Sequence, residues 1–175
     1  MVGATIASRM AKSEPRVIIV VSRYNAGITG RLLDGALQAF RARCPAAAAP
    51  MVVDAPGAFD LPALCLAAAQ RAGVEGVLAL GCIIKGETMH DRVIADAVAG
   101  GLVGVTLRTG MPVALGVLTV NTLAQARARA GGRHGNKGAE SMDALLDSIL
   151  AIRSLRTGRR AGASSVRPDK SGRRS

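Results

Sequence analysis

Short apolar runs alternate along this chain with longer stretches in which apolar positions recur at helical spacing. Arg16 to Ser22 (RVIIVVS) is apolar on both faces, as a strand buried inside a parallel sheet must be. After RYNAG, Thr29 is placed to cap a helix whose apolar positions are Leu32, Leu33, Ala36, Leu37 and Phe40. Met51 to Val53 reads as a short strand running into the turn DAPGAF, followed by a helix from about Leu61 to Ala72 and a second buried strand, Gly76 to Leu80. A helix from about Thr88 to Arg108, a strand from Val113 to Leu118, a short helix from Thr122 to Ala130, a glycine-rich loop and an amphipathic helix from Lys137 to Arg153 complete the pattern. No hairpin signal interrupts it. Such alternation predicts an α/β fold, a parallel sheet with helices on both faces, right-handed crossovers and functional loops at one edge.

One junction stands out. In GCIIKGETMH (Gly81 to His90) the apolar strand is expected to break at a glycine-flanked turn, with a helix starting near Thr88. Unpaired N–H groups at a helix start favour anions, and the carboxyl edge of an open α/β sheet is where ligands bind. His90, one of two histidines, falls in the first helical turn there.

Composition narrows the class. At 175 residues and 49% hydrophobic, the chain is expected to build one domain with a real core. Its apolar runs are far below the roughly 18 residues of a membrane helix and the N-terminus lacks a signal-peptide core, so the cytoplasm is the expected compartment. Cys44, Cys65 and Cys82 lack CxxC spacing and fit reduced thiols rather than disulfides or a zinc site. The net charge of +11 is concentrated at the end: from Arg153 onward seven Arg and one Lys face one Asp, a net +7 that leaves +4 for the rest. Thr157 to Ser175 is poor in apolar residues and reads as a disordered tail, and residues 1 to 15 read as an arm. With no aromatic platform beside the charge, nothing supports a nucleic-acid partner.

Candidate chemistry gathers at the loop edge. Of three aromatic residues, Phe40 belongs to a helix face, whereas Tyr24 and Phe59 each follow a strand; they either stack on a flat ligand or plug the top of the sheet. His90 is either a surface residue or a proton shuttle suited to neutral pH. His134, in GGRHGNKG, reads as solvent-exposed. Arg129 and Lys137 bracket that loop and are either a solvated face or the cations of an anionic substrate site. The loop follows a helix and lacks GxxxxGK[ST], so it is not a nucleotide-binding P-loop.

The motifs RYNAGIT, LLDGA, APGAFDLP, ALGCIIKGETMH, GVLTVNT, QARARAGG and GNKGAE, in this order over about Arg16 to Leu155, resemble those of the 6,7-dimethyl-8-ribityllumazine synthases. The resemblance implies a flavodoxin-like three-layer α/β/α sandwich with a four-stranded parallel sheet per subunit. It divides the chain into an arm (1–15), a synthase domain (16–155) and a basic tail (156–175). It implies condensation of 5-amino-6-(D-ribitylamino)uracil with 3,4-dihydroxy-2-butanone 4-phosphate, losing phosphate and water, without metal or organic cofactor. By that resemblance Tyr24 stacks on the pyrimidine beside Asn25, Ala58 and Phe59 line the pocket, and Asp60 stands where a glutamate usually meets the ribityl hydroxyls. Cys82, Ile83 and Ile84 border the pyrimidine, with Ile83 and Ile84 offering backbone groups. Lys85 stands where arginine is commoner. Glu87 and Thr88 open the helix that cradles the phosphate, Arg129 supplies a fixed cation and His90 is the catalytic acid/base. Leu115, in place of a common phenylalanine, and Lys137 would come from a neighbouring subunit. Asp91 stands where an aromatic is usual, and either pairs with His90 or favours the helix N-terminus.

The same resemblance implies a homo-oligomer: a pentamer, or twelve pentamers closed into an icosahedral 60-subunit shell, which the uninterrupted loop GGRHG favours. Riboflavin synthase is the protein partner it implies. A non-catalytic flavin- or lumazine-binding protein, or a purely structural shell protein, on the same scaffold is the alternative. Retention of both His90 and Arg129 favours the enzyme.

Overall fold

A computed structural model of the chain describes residues 14–158, so the expectations for most of the arm and for the tail beyond Gly158 lie outside the described residues. Four strands, β1 (Val17–Ser22), β2 (Met51–Ala55), β3 (Gly76–Ile84) and β4 (Val113–Val120), form one parallel sheet in the order β2-β1-β3-β4. The helices are α1 (Ala26–Arg43), α2 (Leu61–Ala69), α3 (His90–Thr109), α4 (Leu123–Arg129) and α5 (Lys137–Thr157), and a short 3-10 turn, Ala58–Asp60, leads into α2. This is the expected three-layer flavodoxin-like sandwich.

Strand alternation builds the two cores. Val17, Ile19 and Val21 of β1 join Leu78 and Leu80 of β3 in packing against α1 and α5. Ile18, Val20, Val77 and Ala79 turn the other way, toward α2 and α3. Each large aliphatic residue fully buried here is worth roughly 1.5–3 kcal/mol, which is why the two central strands carry no polar position until Ser22. On the first face α5 approaches α1 so closely that a Cβ at Gly138 would lie 1.9 Å from the Leu32 carbonyl oxygen. The far end of α5 is tied to the start of β3 by Arg153, whose Nε donates to Glu75 Oε1 at 2.7 Å.

Several boundaries differ from the sequence expectation. Helix α1 starts at Ala26 with Asn25, not Thr29, at its cap: Asn25 takes a left-handed conformation (φ 60°, ψ 42°), its carbonyl accepts from Ile28 and Thr29 N–H, and Thr29 is buried inside the helix. Asparagine tolerates that conformation and lets the chain turn at once from strand to helix. Strand β3 does not break at Gly81 but continues to Ile84, because pairing with β4 persists to Ile84–Val120. Gly81 leaves space instead for Leu61 and Val117, which a Cβ would meet at 3.3 Å. Helix α3 accordingly starts at His90, leaving Glu87 and Thr88 in the preceding loop. The glycine-rich segment contains the hairpin the pattern did not predict, β5 (Ala130–Gly132) with β6 (Gly135–Asn136), made possible by positive φ at Gly131 and Gly135. Helix α5 runs to Thr157, past the expected domain end, with Arg156 Nη2 donating to the Gly110 carbonyl.

Candidate functional site

The loops after β1, β2, β3 and β4 all leave the carboxyl edge of the sheet, and backbone bonds fix their starts. Arg23 N–H donates to the Ala55 carbonyl and Lys85 N–H to the Val120 carbonyl, both at 2.8 Å. A side chain adds a third tie: Asn25 Nδ2 donates to the Cys82 carbonyl at 2.9 Å, holding the β1 loop against β3. Asn25 thus ends a strand, starts a helix and sets the position of Tyr24.

Strand β3 outruns its neighbour. Its pairing with β1 ends at Val21–Leu80, whereas its pairing with β4 continues to Ile84. Gly81 to Ile84 therefore expose one backbone edge on the side β1 has vacated. Backbone groups alternate in direction along a strand. Since Cys82 offers its carbonyl to Asn25 and Lys85 donates to β4, the N–H and C=O of Ile84 face the vacated side, while those of Ile83 face β4. Of the two expected backbone contacts, Ile84 is available and Ile83 is spent in the ladder.

Beyond Ile84 the loop Lys85 to Met89 is exposed and delivers the start of α3. His90 N–H reaches Thr88 Oγ1 at 3.4 Å, and Arg92 and Val93 N–H bond the Met89 carbonyl, so the Asp91 N–H remains among the free amides of a twenty-residue helix. That end attracts an anion. His90 and Asp91 form no ion pair, which leaves Asp91 as a first-turn acid of α3.

The two rings are not plugs. Tyr24 is 71% and Phe59 65% exposed, so both present open faces at the edge. Ala58 is half-buried in the 3-10 turn, and Asp60 Oδ2 accepts from Gly57 N–H at 2.9 Å. The shorter acid closes its own turn with one oxygen and keeps the other free.

Leu115, Arg129 and Lys137 lie elsewhere. Leu115 pairs with Ala79, five positions below Ile84 in the register of the open-edge strand β4, a drop of ~16 Å from the loop edge. Its side chain is 49% exposed and lines a groove of about 440 Å³ with Ser141, Ala144 and Ser148 of α5. Lys137 opens α5 and holds Glu140 in an exposed ion pair at 2.8 Å. Arg129 ends α4 and lines a hollow of about 750 Å³ with Arg31, Arg127, Arg133 and His134. Leu115 and Arg129 line different hollows, and neither of those two hollows is lined by His90, Tyr24 or Phe59.

The cysteine side chains are held inside the subunit. All three are free and buried; burial pushes Cys82 up to about 11 and Cys65 up to about 12, keeping both as neutral thiols. Among the described residues no group of three or more His, Cys, Asp or Glu could hold a metal, and no helix is long and apolar enough to cross a membrane.

Some contributors escape sequence reasoning. Ser22, buried at the end of β1, accepts Tyr24 N–H on its hydroxyl at 3.3 Å. Asn136 caps α5 through Gly138 and Ala139 N–H and also donates to the Arg31 carbonyl. An asparagine directly before a helix signals the first role; nothing local signals the second.

The arrangement agrees with relationships across the chain. Residues 14–153 match the family described as 6,7-dimethyl-8-ribityllumazine synthase. Over 140 residues the chain is 40% identical to the 6,7-dimethyl-8-ribityllumazine synthase of Thermus thermophilus, covering 80% of this chain and 89% of that protein. It is 42% identical to 6,7-dimethyl-8-ribityllumazine synthase 1 of Caulobacter vibrioides over 81% of this chain and 93% of the relative. The enzyme of Xanthomonas campestris is 43% identical over 77% of this chain and 87% of its own length. A parallel sheet with its rings, histidine and free helix amides at one edge, and this similarity over nearly the whole described region, lead to one conclusion: the chain belongs to the 6,7-dimethyl-8-ribityllumazine synthase family.

Proposed function

We propose that this chain joins 5-amino-6-(D-ribitylamino)uracil to 3,4-dihydroxy-2-butanone 4-phosphate, releasing phosphate and water and forming the lumazine for riboflavin biosynthesis. The observation that carries this reading is the overrun of β3 past β1, which sets an uncovered backbone edge between Tyr24–Asn25 and the N-terminus of α3. A flat, hydrogen-bonding heterocycle fits between those features.

In this reading Tyr24 and Phe59 stack on the pyrimidine, the backbone of Ile84 reads its polar edge, and the free oxygen of Asp60 meets the ribityl hydroxyls. The amine nitrogen of the uracil attacks the ketone carbon, and the carbonyl oxygen leaves as water to give an imine. His90 takes a carbon-bound proton as the bond to the phosphate oxygen breaks. The amides at the start of α3 hold the departing phosphate, and the second amine closes the ring with loss of water. Arg129, Lys137 and Leu115 complete the site from a neighbouring copy; Leu115 pairs well below the loop edge, and the hollow lined by Arg129 does not include His90.

The subunit surface supports assembly. Val93, Val103 and Leu107 of α3, Leu115 of β4, and Met51 and Val52 of β2 are exposed apolar residues on both sheet edges and one helix face. A heterologous ring covers such surfaces when it closes. The hairpin turn between β5 and β6 consists of Arg133 and His134 without insertion, so a 60-subunit shell is our reading, with riboflavin synthase as the enzyme that takes up the product. Incubation of purified protein with both substrates, followed by lumazine absorbance, tests the reaction; no rate above the protein-free control rejects it. Light scattering tests the assembly, a mass near one pentamer rejecting the shell.

A further inference from the structure

The hollow that contains Arg129 holds more cations than one phosphate requires. Arg31 enters from α1, Arg127 and Arg129 from α4, and Arg133 and His134 from the hairpin turn, around about 750 Å³ with no acidic residue in the lining. None of the four guanidinium groups makes an ion pair or a side-chain hydrogen bond among the described residues, in contrast to Arg43, held by Asp143 and Asp147, and Arg153, held by Glu75. Gln125 does not supply the missing acceptor, since its Oε1 already accepts from Asn121 N–H.

The frame that carries these cations is fixed. His134 N–H donates to the Ala128 carbonyl at 2.8 Å, binding the hairpin turn to the end of α4, and Asn136 Nδ2 donates to the Arg31 carbonyl at 2.8 Å, binding the hairpin to α1. Gly132 permits this contact: a Cβ there would lie 2.6 Å from the Arg127 carbonyl oxygen and 2.8 Å from the Ala128 Cα. Three elements are therefore locked at a spacing that gathers four like charges in one concavity, an arrangement that repels itself until a counter-anion enters. The end of α4 offsets part of that repulsion through its helix dipole, but a helix terminus matches about half an elementary charge rather than four.

We propose that Arg31, Arg127, Arg133 and His134, with Arg129 at their border, form a second anion site that takes an oligophosphate. The volume exceeds that of one phosphate group and falls in the range of small-ligand sites. The lining contains no Phe, Tyr or Trp ring for a base to stack on, and its cations outnumber the single imidazole of His134, so the recognised part is the phosphate chain. Guanidinium groups meet such oxygens in bidentate pairs, and several of them on one chain discriminate it from a single phosphate. The site goes beyond the proposed reaction and touches it only through Arg129.

Calorimetric titration of the assembled full-length protein with inorganic pyrophosphate tests the site, with orthophosphate in a parallel titration. One pyrophosphate is expected per chain, bound more tightly than orthophosphate and weakening as sodium chloride is raised. The combined change Arg31→Gln, Arg127→Gln and Arg133→Gln should weaken pyrophosphate binding roughly tenfold or more while leaving orthophosphate binding and lumazine formation in place. Arg133→Glu alone, on the exposed turn, should weaken it too and serves if the triple variant loses its assembly. Undiminished pyrophosphate affinity in both variants, or loss only on Arg129→Ala, would overturn the proposal and place the anion in the reaction site. A protein that binds pyrophosphate in this way yet forms no lumazine would instead leave the second site standing and reject the proposed reaction.

Discussion

The carboxyl edge and the β4 flank of this subunit are built on opposite plans. At the edge, Tyr24, Phe59 and His90 stand exposed in a loop, a 3-10 turn and the first turn of α3, above strand ends pinned by Asn25, Arg23 and Lys85. On the flank, Arg129 ends α4 and Lys137 opens α5 on either side of a short hairpin held by Gly132 and Asn136, with Leu115 in the middle of an edge strand. The edge offers a place for a flat ring and an anion, and its cations Arg23 and Lys85 are exposed side chains without an ion-pair partner among the described residues. The flank offers fixed cations and no ring. Each lacks what the other carries, and in the proposed reaction a contact between two copies would bring the two together.

The most severe way to break that comparison is to disable each half separately. His90→Ala should lower kcat by ~10²-fold or more, as expected for a positioned acid/base. Arg129→Ala should instead raise the KM for the butanone phosphate by roughly tenfold, since a charge-assisted contact is lost. If the halves meet across an interface, unfolding and reassembling the two variants together in equal amounts should restore about a quarter of the wild-type sites by random pairing. No recovery in steady-state rate would place both residues in one subunit's site and end the comparison.

Locking on the flank is open to a smaller test. Gly138→Ala sets a methyl group against the Leu32 backbone, which cannot move aside as a side chain can. Stability should fall by about 1–3 kcal/mol or more, read as a lower urea midpoint, with Lys137 displaced along with the helix start. An unchanged midpoint would show that α1 and α5 are not held at this distance.

The core beneath both regions predicts an alkaline effect. Burial raises Cys65 from 9.0 to about 12, so the folded chain holds its proton where the unfolded chain has released it. Stability from this group is complete below about pH 9 and is lost as pH rises toward 12. The fall in Tm above pH 9 should be shallower in Cys65→Ala, after allowing for that variant's lower starting value, and parallel curves would contradict the burial.

The smallest effect is expected at the chain end. Stopping after Leu155 removes the Arg156 bond to the Gly110 carbonyl, an exposed contact worth little, together with the basic segment. Folding and lumazine formation should be unchanged, and loss of either would give the tail a structural role.

Much of this was legible in the residues. The βαβ alternation predicted the parallel sheet because strands buried on both faces must be continuously apolar, as Val17 to Val21 and Val77 to Leu80 are. The candidate residues of the edge were legible as well, since rings and a histidine placed just after strands have little packing role there. Boundaries were less so. Gly81 looked like a breaker because its local preference was read without β4, whose ladder keeps it in a strand. Thr29 looked like a cap because its type ranks well, yet the helix begins where Asn25 finds a carbonyl 57 residues away in sequence.

Sequence by itself therefore determined the layer order, the two-sided core and the family, all of which follow from local periodicity and from motifs whose residue types survive in linear order. Only the tertiary structure decided that β3 outruns β1, that Ile84 rather than Ile83 keeps its backbone free, and that Arg129 shares its hollow with three further arginines instead of with His90. These depend on pairing register and on close approaches such as Gly132 against α4, which join residues far apart in the chain. The physical reason is that a strand's end and a helix's neighbour are set by which partner satisfies their backbone groups, and that partner is written nowhere near them in the sequence.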